Sequence, residues 1–444
     1  LTLCLAFVLF CATNALCQEP DSIGKSADEA IDTASLQSRI TTLEKKVADH
    51  DLKVVAHDTI IEELRKNLHR EFGTPAIQGQ GFTIGVNATM VMQETDNPNA
   101  VSAEAETVSD ASYAAEVTFA KDFDKVNGKA FLRYEAGQGN GINQDLSLLS
   151  VSNASAYPGQ GIWVAEAWYE QKLFAGKFDG TIGYLFPAVY FDNNAAANDQ
   201  TTQFLSAIFV NNPTIEMPVY TPGFVVKIAP IDKVELSGAM FDAKAGWQRI
   251  GEHLLNFIQA SCSPVIAGSA GNYHLYAWAN RLPHRSWGDS GATNEMAYGF
   301  GASADQQFTD ELTAFARFGW RNPENYDPTA VAQQTYATLI AESWSAGVEI
   351  AGKRWHREND VAGIGFGQAF PSAKYTTALA LANGSPESHL EIFYRIKCFE
   401  HMGISPDIQY IINPFGNSIN PFSTPVNGNT DNMLVLGIRS MVDF

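Results

Sequence analysis

Hydrogen-bonding side chains without an evident reactive partner crowd one stretch of this chain. Between residues 186 and 221, Phe191, Asp192, Asn193, Asn194, Asn198, Asp199, Gln200 and Gln203 follow one another closely. Carboxylates accept hydrogen bonds, and amides both donate and accept. The set therefore suits reversible recognition of polar molecules better than bond breaking. A plainer alternative is an Asn-rich loop that caps its own turns through its side chains. A second group recurs with a period of two: Arg133 and Glu135, Glu166 and Trp168, then Lys233, Glu235, Arg317, Glu349 and Arg395. Opposite charges on one face of successive strands would set up a transverse field in an aqueous pore. The same residues could equally be the wet lining of a wide lumen.

Reactive constellations are missing. No Gly-x-Ser-x-Gly elbow, Walker loop or His-Glu-x-x-His is present. Gly363-Ile364-Gly365-Phe366-Gly367 is Gly-rich, but it alternates as a strand does and no helix follows. It reads as packing or lipid-facing glycine. A paired-carboxylate hydrolase needs one raised pKa, which requires a desolvation that a wet pore does not supply. No enzyme, cofactor or metal centre is expected.

The elements that would position these residues are strands. In 433–444, Leu434, Leu436, Ile438, Val442 and Phe444 share one face, while Gly437, Arg439 and Asp443 share the other. In 388–398, Leu390, Ile392, Tyr394 and Ile396 oppose His389, Glu391, Arg395 and Lys397. Sixteen such segments are expected: 82–92, 113–122, 129–137, 162–171, 177–185, 222–229, 233–242, 254–263, 271–280, 294–304, 310–320, 341–352, 358–368, 388–398, 402–412 and 432–444. The eighth also reads as a short helix, and strand parity selects the strand. The lengths suit tilted membrane strands of ~9–11 residues. Connections are short after even strands and long after odd ones, the pattern of an outer-membrane barrel. Trp163, Tyr169, Tyr134, Tyr184, Trp320, Trp344 and Phe444 fit interfacial aromatic belts. A soluble sandwich would need a continuous apolar interior, which the alternating Lys, Arg, Glu and Asp deny. No blade-like period of ~40–50 residues marks a propeller.

The N-terminal part has other periods. Residues 1–17 form an apolar run like the core of a secretory signal, without its basic start. Residues 18–35 read as a linker, and 36–70 carry a heptad seam. Ile40, Val47, Val54, Ile61 and Leu68 occupy a positions; Leu36, Leu43, His50, His57 and Leu64 occupy d. Arg39 with Glu44, Lys46 with Asp51 and Lys53 with Asp58 then fall at facing g and e positions with opposite signs, which predicts a parallel homo-oligomer. The expected fold is all-β: a sixteen-stranded antiparallel transmembrane β-barrel over 75–444, preceded by an N-terminal α-helical coiled coil. An even strand number places both barrel ends, and so the coiled coil, in the periplasm.

Composition agrees. The 444 residues carry 29 basic and 49 acidic side chains, a net charge of −20, and only 18% are charged. So acidic a chain lacks the basic footprint of a nucleic-acid binder. Low charge, 11% aromatics and 35 Gly suit a membrane barrel.

Several stretches resemble the carbohydrate-selective porins of the OprB type. They are EAWYEQKLFAGKFDGTIGYL with FPAVYFD (166–192), its continuation NNAAANDQTTQFLSAIFVNNPTIEMPVYTPG (193–223), ENDVAGIGFGQAFPSAKY (358–375), EIFYRIKCFEHMGISPDIQYIINP (391–414) and the terminal LGIRSMVDF. The resemblance implies a barrel in outer-membrane lipid, usually trimeric, that admits sugars and similar small hydrophilic solutes by passive diffusion. It implies that the 186–221 connection folds into the lumen. The candidate pore-lining or solute-binding residues are then Arg133, Glu135, Glu166, Trp168, Phe191, Asp192, Asn194, Asn198, Gln203, Arg317 and Arg395. Two alternatives stay open. The acidic balance suits a general or cation-preferring porin, because acidic rings favour cations. The coiled coil suits a structural tether between outer membrane and cell wall.

Overall fold

The computed structural model describes residues 77–444 apart from 80, 100–106, 158, 160, 290, 334, 382–383 and 423–429. The expected signal, linker and coiled coil (1–17, 18–35 and 36–70) lie outside the described residues.

Among the described residues, sixteen long strands form the wall. They are β1 (Phe82–Asp96), β2 (Thr107–Phe123), β3 (Gly128–Gln138) and β4 (Gly161–Leu173). β5 (Phe178–Leu185), β6 (Thr221–Ile231), β7 (Val234–Asp242) and β8 (Leu254–Cys262) follow. Next come β9 (Ser269–Ser286), β10 (Glu295–Gln307), β11 (Leu312–Arg321) and β12 (Ile340–Ala351). β13 (Val361–Pro371), β14 (Glu387–Phe399), β15 (Met402–Ile412) and β16 (Met433–Asp443) complete the wall. Three short ladders, at Ile77–Gly79, Val265–Ile266 and Asn325–Tyr326, join its edges. Each strand pairs antiparallel with the next, and β16 pairs with β1 from Val435↔Thr95 to Asp443↔Asn87. Closure leaves no edge with unpaired N–H and C=O groups, the condition for strands to cross a bilayer.

The alternation read in the sequence is the alternation of the wall. Met92, Ile182, Ile258, Phe300, Ile364, Ile408 and Leu436 point outward and are exposed. Their neighbours in the chain turn into the lumen, where polar and small residues dominate. The eighth segment is a strand, as parity required. β1, β2 and β9 are longer than the alternation suggested, because their ends continue past the apolar band. Lys233 differs from expectation. It sits exposed in the β6–β7 turn at φ 63°, outside the inward row.

The lumen holds the core. The 186–220 connection packs Val189, Tyr190, Phe191 and Ile215 against Trp168, Val225, Phe241 and Phe257 of the wall. Its tip packs Phe204, Ile208 and Phe209 with Phe315 of β11 and Phe393 of β14. Room for the tip comes from inward glycines on β13. A Cβ on Gly365 would lie 2.9 Å from Phe209 Cε1 and 3.1 Å from Phe204 Cε1. The Gly363–Gly367 stretch is therefore packing glycine on the lumen side. A second connection, 139–160, also enters the lumen and places Ile142, Leu146 and Leu148 against Ile411 of β15 and Met433 and Val435 of β16.

Candidate pore constriction

A loop inside a polar barrel must satisfy its own backbone, and wall side chains do this here. Glu391 of β14 accepts from the N–H groups of Leu205 at 2.6 Å and Ser206 at 2.8 Å. Asp305 of β10 accepts from Ala195 N at 3.0 Å. Gln259 of β8 accepts from Asp192 N at 3.2 Å. The second inserted loop is held the same way, with Leu149 N and Ser150 N donating to Glu387 of β14 at 2.8 and 2.9 Å. The two loops also bond each other: Ala154 N donates to Leu205 O, and Ala207 N to Val151 O, at 2.8 and 3.0 Å.

One guanidinium gathers the long loop. Arg317 of β11 is almost fully buried. It donates through Nη1 to Phe209 O at 2.5 Å, and through Nη2 to Asp192 O at 3.0 Å and Asn198 Oδ1 at 3.1 Å. Its Nε lies 3.3 Å from Asp192 Oδ2. The same carboxylate oxygen accepts from Asn212 N at 2.6 Å. Burial pushes the Asp192 carboxyl above its ordinary range, against the pull of Arg317 and of that N–H. Farther along the loop, Glu216 pairs with Arg321 at 2.8 Å and with His284 at 2.8 Å, and accepts from Asn280. Burial alone would raise Glu216, but Arg321 and His284 hold its carboxyl at about 2.

The ends of the loop are tied at a third node. Arg133 of β3 is fully buried, 2.7 Å from Glu166 Oε2 and 3.5 Å from Glu116 Oε2. Its guanidinium lies over the rings of Phe186 and Tyr220, the residues that open and close the loop. Glu166 accepts from Phe186 N at 3.2 Å. Glu135 accepts from Tyr220 Oη at 3.1 Å and from Trp163 Nε1 at 3.3 Å.

The sequence candidates thus fall into two groups. Arg133, Glu135, Glu166, Trp168, Phe191, Asp192, Asn194 and Arg317 all face the lumen, but they are buried beneath or within the inserted loop. Trp168 stacks on Phe131 at 4.9 Å and Phe191 on Phe257 at 4.7 Å, so their rings serve packing and offer no open face. Asn194 donates to Ser303 Oγ at 3.2 Å and to Ala304 O at 3.0 Å. Asn198, Gln203 and Arg395 stay partly exposed, beside Asp199, Gln200 and Glu349. Here the self-capping alternative describes the local geometry well. Asp199 Oδ1 accepts from Thr201 N at 2.7 Å, and Gln203 Oε1 from Asn198 N at 2.8 Å and Asp199 N at 3.0 Å. Gln203 Nε2 then reaches Glu349 at 3.2 Å.

Several residues with a clear role were not among the candidates: Glu387, Asp305, His389 and Glu391, which hold the loops, and Arg439 of β16, which meets Gln200 O of the long loop. Alternation alone turns His389, Glu391 and Arg439 inward. It does not say which loop atom each one meets.

Residues 109–444 match the family described as carbohydrate-selective porin, OprB family. The high-pH structure of Pseudomonas putida OprB has a TM-score of 0.68 at 15% identity, covering 82% of this chain and 94% of that one. Its low-pH structure has a TM-score of 0.50 at 15% identity, covering 82% and 93%. An uncharacterized protein of Aquifex aeolicus (strain VF5) is 28% identical over 144 residues, 32% of this chain, so the match spans 40% of that relative's length. The wall closes on itself with a loop threaded through it, and the family match runs from β2 to the last residue; the chain belongs to the carbohydrate-selective porin family of the OprB type.

Proposed function

We propose that this porin admits sugars and similar small hydrophilic solutes by passive diffusion, selecting by width and lumen polarity without cofactor or energy input. The observation that supports this most is the inserted 186–220 loop, which narrows the lumen and is held by its own backbone bonds to wall side chains. The partly exposed edge at Asn198, Asp199, Gln200 and Gln203, facing Glu349 and Arg395, is the proposed solute-contacting rim. Carboxylates and amides there match the donor and acceptor pattern of hydroxyls.

The same bonding weakens the cation-preferring alternative. A charge of −20 suggests an acidic pore, yet the inward carboxylates are largely engaged. Asp192 faces Arg317, Glu166 faces Arg133 and Glu216 faces Arg321, while Glu387, Glu391 and Asp305 accept loop N–H groups. The three carboxylates paired with Arg contribute little net field to a passing ion, and the other three are turned to loop N–H groups. A homotrimer in outer-membrane lipid, joined through barrel and coiled coil with the coiled coil in the periplasm, completes the proposal. The heptad seam supports that part, and it equally supports a cell-wall tether.

Single-channel conductance in planar bilayers, with sugars titrated in, tests the reading. Stepwise conductance reduced by a sugar at millimolar concentration is expected, with a reversal potential near zero in a salt gradient. Marked cation preference without sugar block refutes the sugar reading. Deleting 19–72 separates the tether: loss of envelope attachment with intact solute flux favours it.

A further inference from the structure

Many buried polar side chains in this lumen meet partners from the inserted loops. One patch of the wall is met only in part, where both loops touch β15 and β16. Asp407 of β15 sits directly opposite Gly437 of β16, which sits directly opposite Gln93 of β1. Arg439 is two residues from Gly437 and Gln409 two residues from Asp407, so all five share the inward face. The missing side chain at Gly437 leaves a notch. A Cβ there would meet Gln93 Cγ at 3.3 Å and Asp407 Cβ at 3.4 Å. The long loop reaches the patch at Gln200 O, which accepts from Arg439 Nη1 at 2.7 Å. The second loop reaches it at Ser152 O, which accepts from Gln409 Nε2 at 2.9 Å.

Five further polar atoms of the patch find no partner among the described residues. Gln93 Nε2 and Oε1, Arg439 Nε and Nη2 and Gln409 Oε1 are all buried without a hydrogen bond, whereas Asp407 is hydrogen-bonded to the neighbouring Glu391 carboxyl. Their residues, Gln93, Arg439 and Gln409, are exposed by only 3, 1 and 1% respectively, while Gly437 keeps partial exposure. Buried polar atoms left unpaired cost free energy comparable to a lost hydrogen bond, so such a cluster calls for an occupant.

We propose that Gln93, Asp407, Gln409 and Arg439, arranged around the Gly437 notch, form a binding site for a polyhydroxylated solute at the junction of the two inserted loops. The pattern of unpaired atoms selects the class. Three are donors (Gln93 Nε2, Arg439 Nε and Nη2) and two are acceptors (Gln93 Oε1 and Gln409 Oε1). An anion offers acceptors alone and would leave the two acceptors bare. A cation offers donors alone and would leave the three donors bare. Neighbouring hydroxyls on one ring do both. The site rests on the porin reading and specifies where in the pore the solute pauses.

Two substitutions in the full chain test it. Gln93→Leu removes no bond of the resting protein, since Gln93 makes none with its side chain, and it takes one donor and one acceptor from the site. Gly437→Val fills the notch. The readout is block of single-channel current by D-glucose and maltose in planar bilayers, with salt conductance reporting a folded channel. Gln93→Leu is expected to keep salt conductance and raise the half-blocking sugar concentration about tenfold, the effect of losing two ordinary hydrogen bonds. Gly437→Val is expected to abolish block. Half-blocking concentrations unchanged in both conducting variants overturn the site and leave the porin reading standing. Block by a carboxylate or ammonium solute of similar size, with none by either sugar, overturns the assigned class. A parent protein without salt conductance overturns the porin reading itself.

Discussion

Arg317→Ala should release the constriction while sparing the barrel. In the parent, one guanidinium donates to Phe209 O, Asp192 O and Asn198 Oδ1 and faces Asp192 Oδ2, so it spans both limbs of the 186–220 loop. Truncation removes three charge-assisted bonds and leaves the fully buried Asp192 with only its bond from Asn212 N and its amide and hydroxyl neighbours. Removing one partner of a buried pair costs roughly 3–5 kcal/mol, most of it the stranded charge. At about 1.4 kcal/mol per factor of ten, the ratio of docked to released loop falls by roughly two to four orders of magnitude. The sixteen strand ladders do not involve Arg317's side chain, so the wall should still close. The assay is single-channel conductance with sugar titration, alongside limited proteolysis of the reconstituted protein. Larger, noisier conductance, weaker sugar block and new cleavage within 186–220 are expected. Adding Asp192→Asn should restore part of the loss, because it removes the unpaired charge and its coupling to Arg317. A variant with parental conductance, block and protease resistance refutes the claim that this node holds the loop.

Three further outcomes follow from the geometry. Gly365→Val would drive a side chain into Phe209 and Phe204, at a cost of ~1–3 kcal/mol for overpacking, and should displace the loop tip, read as altered conductance with the strand content in circular dichroism unchanged. Glu387→Gln retains one acceptor oxygen where Leu149 N, Ser150 N and Phe415 N now converge on the carboxylate, so at least one bond to a charged group, worth roughly 1.5–3 kcal/mol, is lost and protease sites in 139–160 should open. Asp360, in the β12–β13 connection, accepts from Arg357, Tyr394 and Lys397 N; these bonds, Arg357's first, hold its carboxyl at about 2, below its ordinary 3.8. A carboxyl depressed in the folded state adds stability above its unfolded pKa and loses it as pH falls through the folded one. The thermal unfolding midpoint should therefore fall between about pH 4 and pH 2, and Asp360→Asn should remove that part of the slope.

The amino-acid sequence by itself determined the wall. A period of two over sixteen segments, short and long connections in alternation, and a C-terminal strand such as 433–444 are local properties, and the pleat converts them directly into an inside and an outside. That is why all sixteen strands, the short eighth included, were legible, and why Arg133, Glu166, Arg317 and Arg395 were correctly turned inward. Lys233 was misplaced because a tight turn with positive φ breaks the alternation by one residue. What only the tertiary structure decided is which inward residue meets the loop and which meets water. Trp168 was a candidate for solute contact, but the loop lies over it, and Phe191, itself in the loop, packs on Phe257; Glu391 read as an inward charge, but it binds backbone N–H groups nearly 190 residues away in the chain. Gln93, Asp407 and Arg439 come from three strands at opposite ends of the chain and become neighbours only because β16 closes on β1. Strand direction is written in local periodicity, whereas the partner of a lumen side chain depends on barrel closure and loop insertion, which bring together atoms that no spacing along the chain relates.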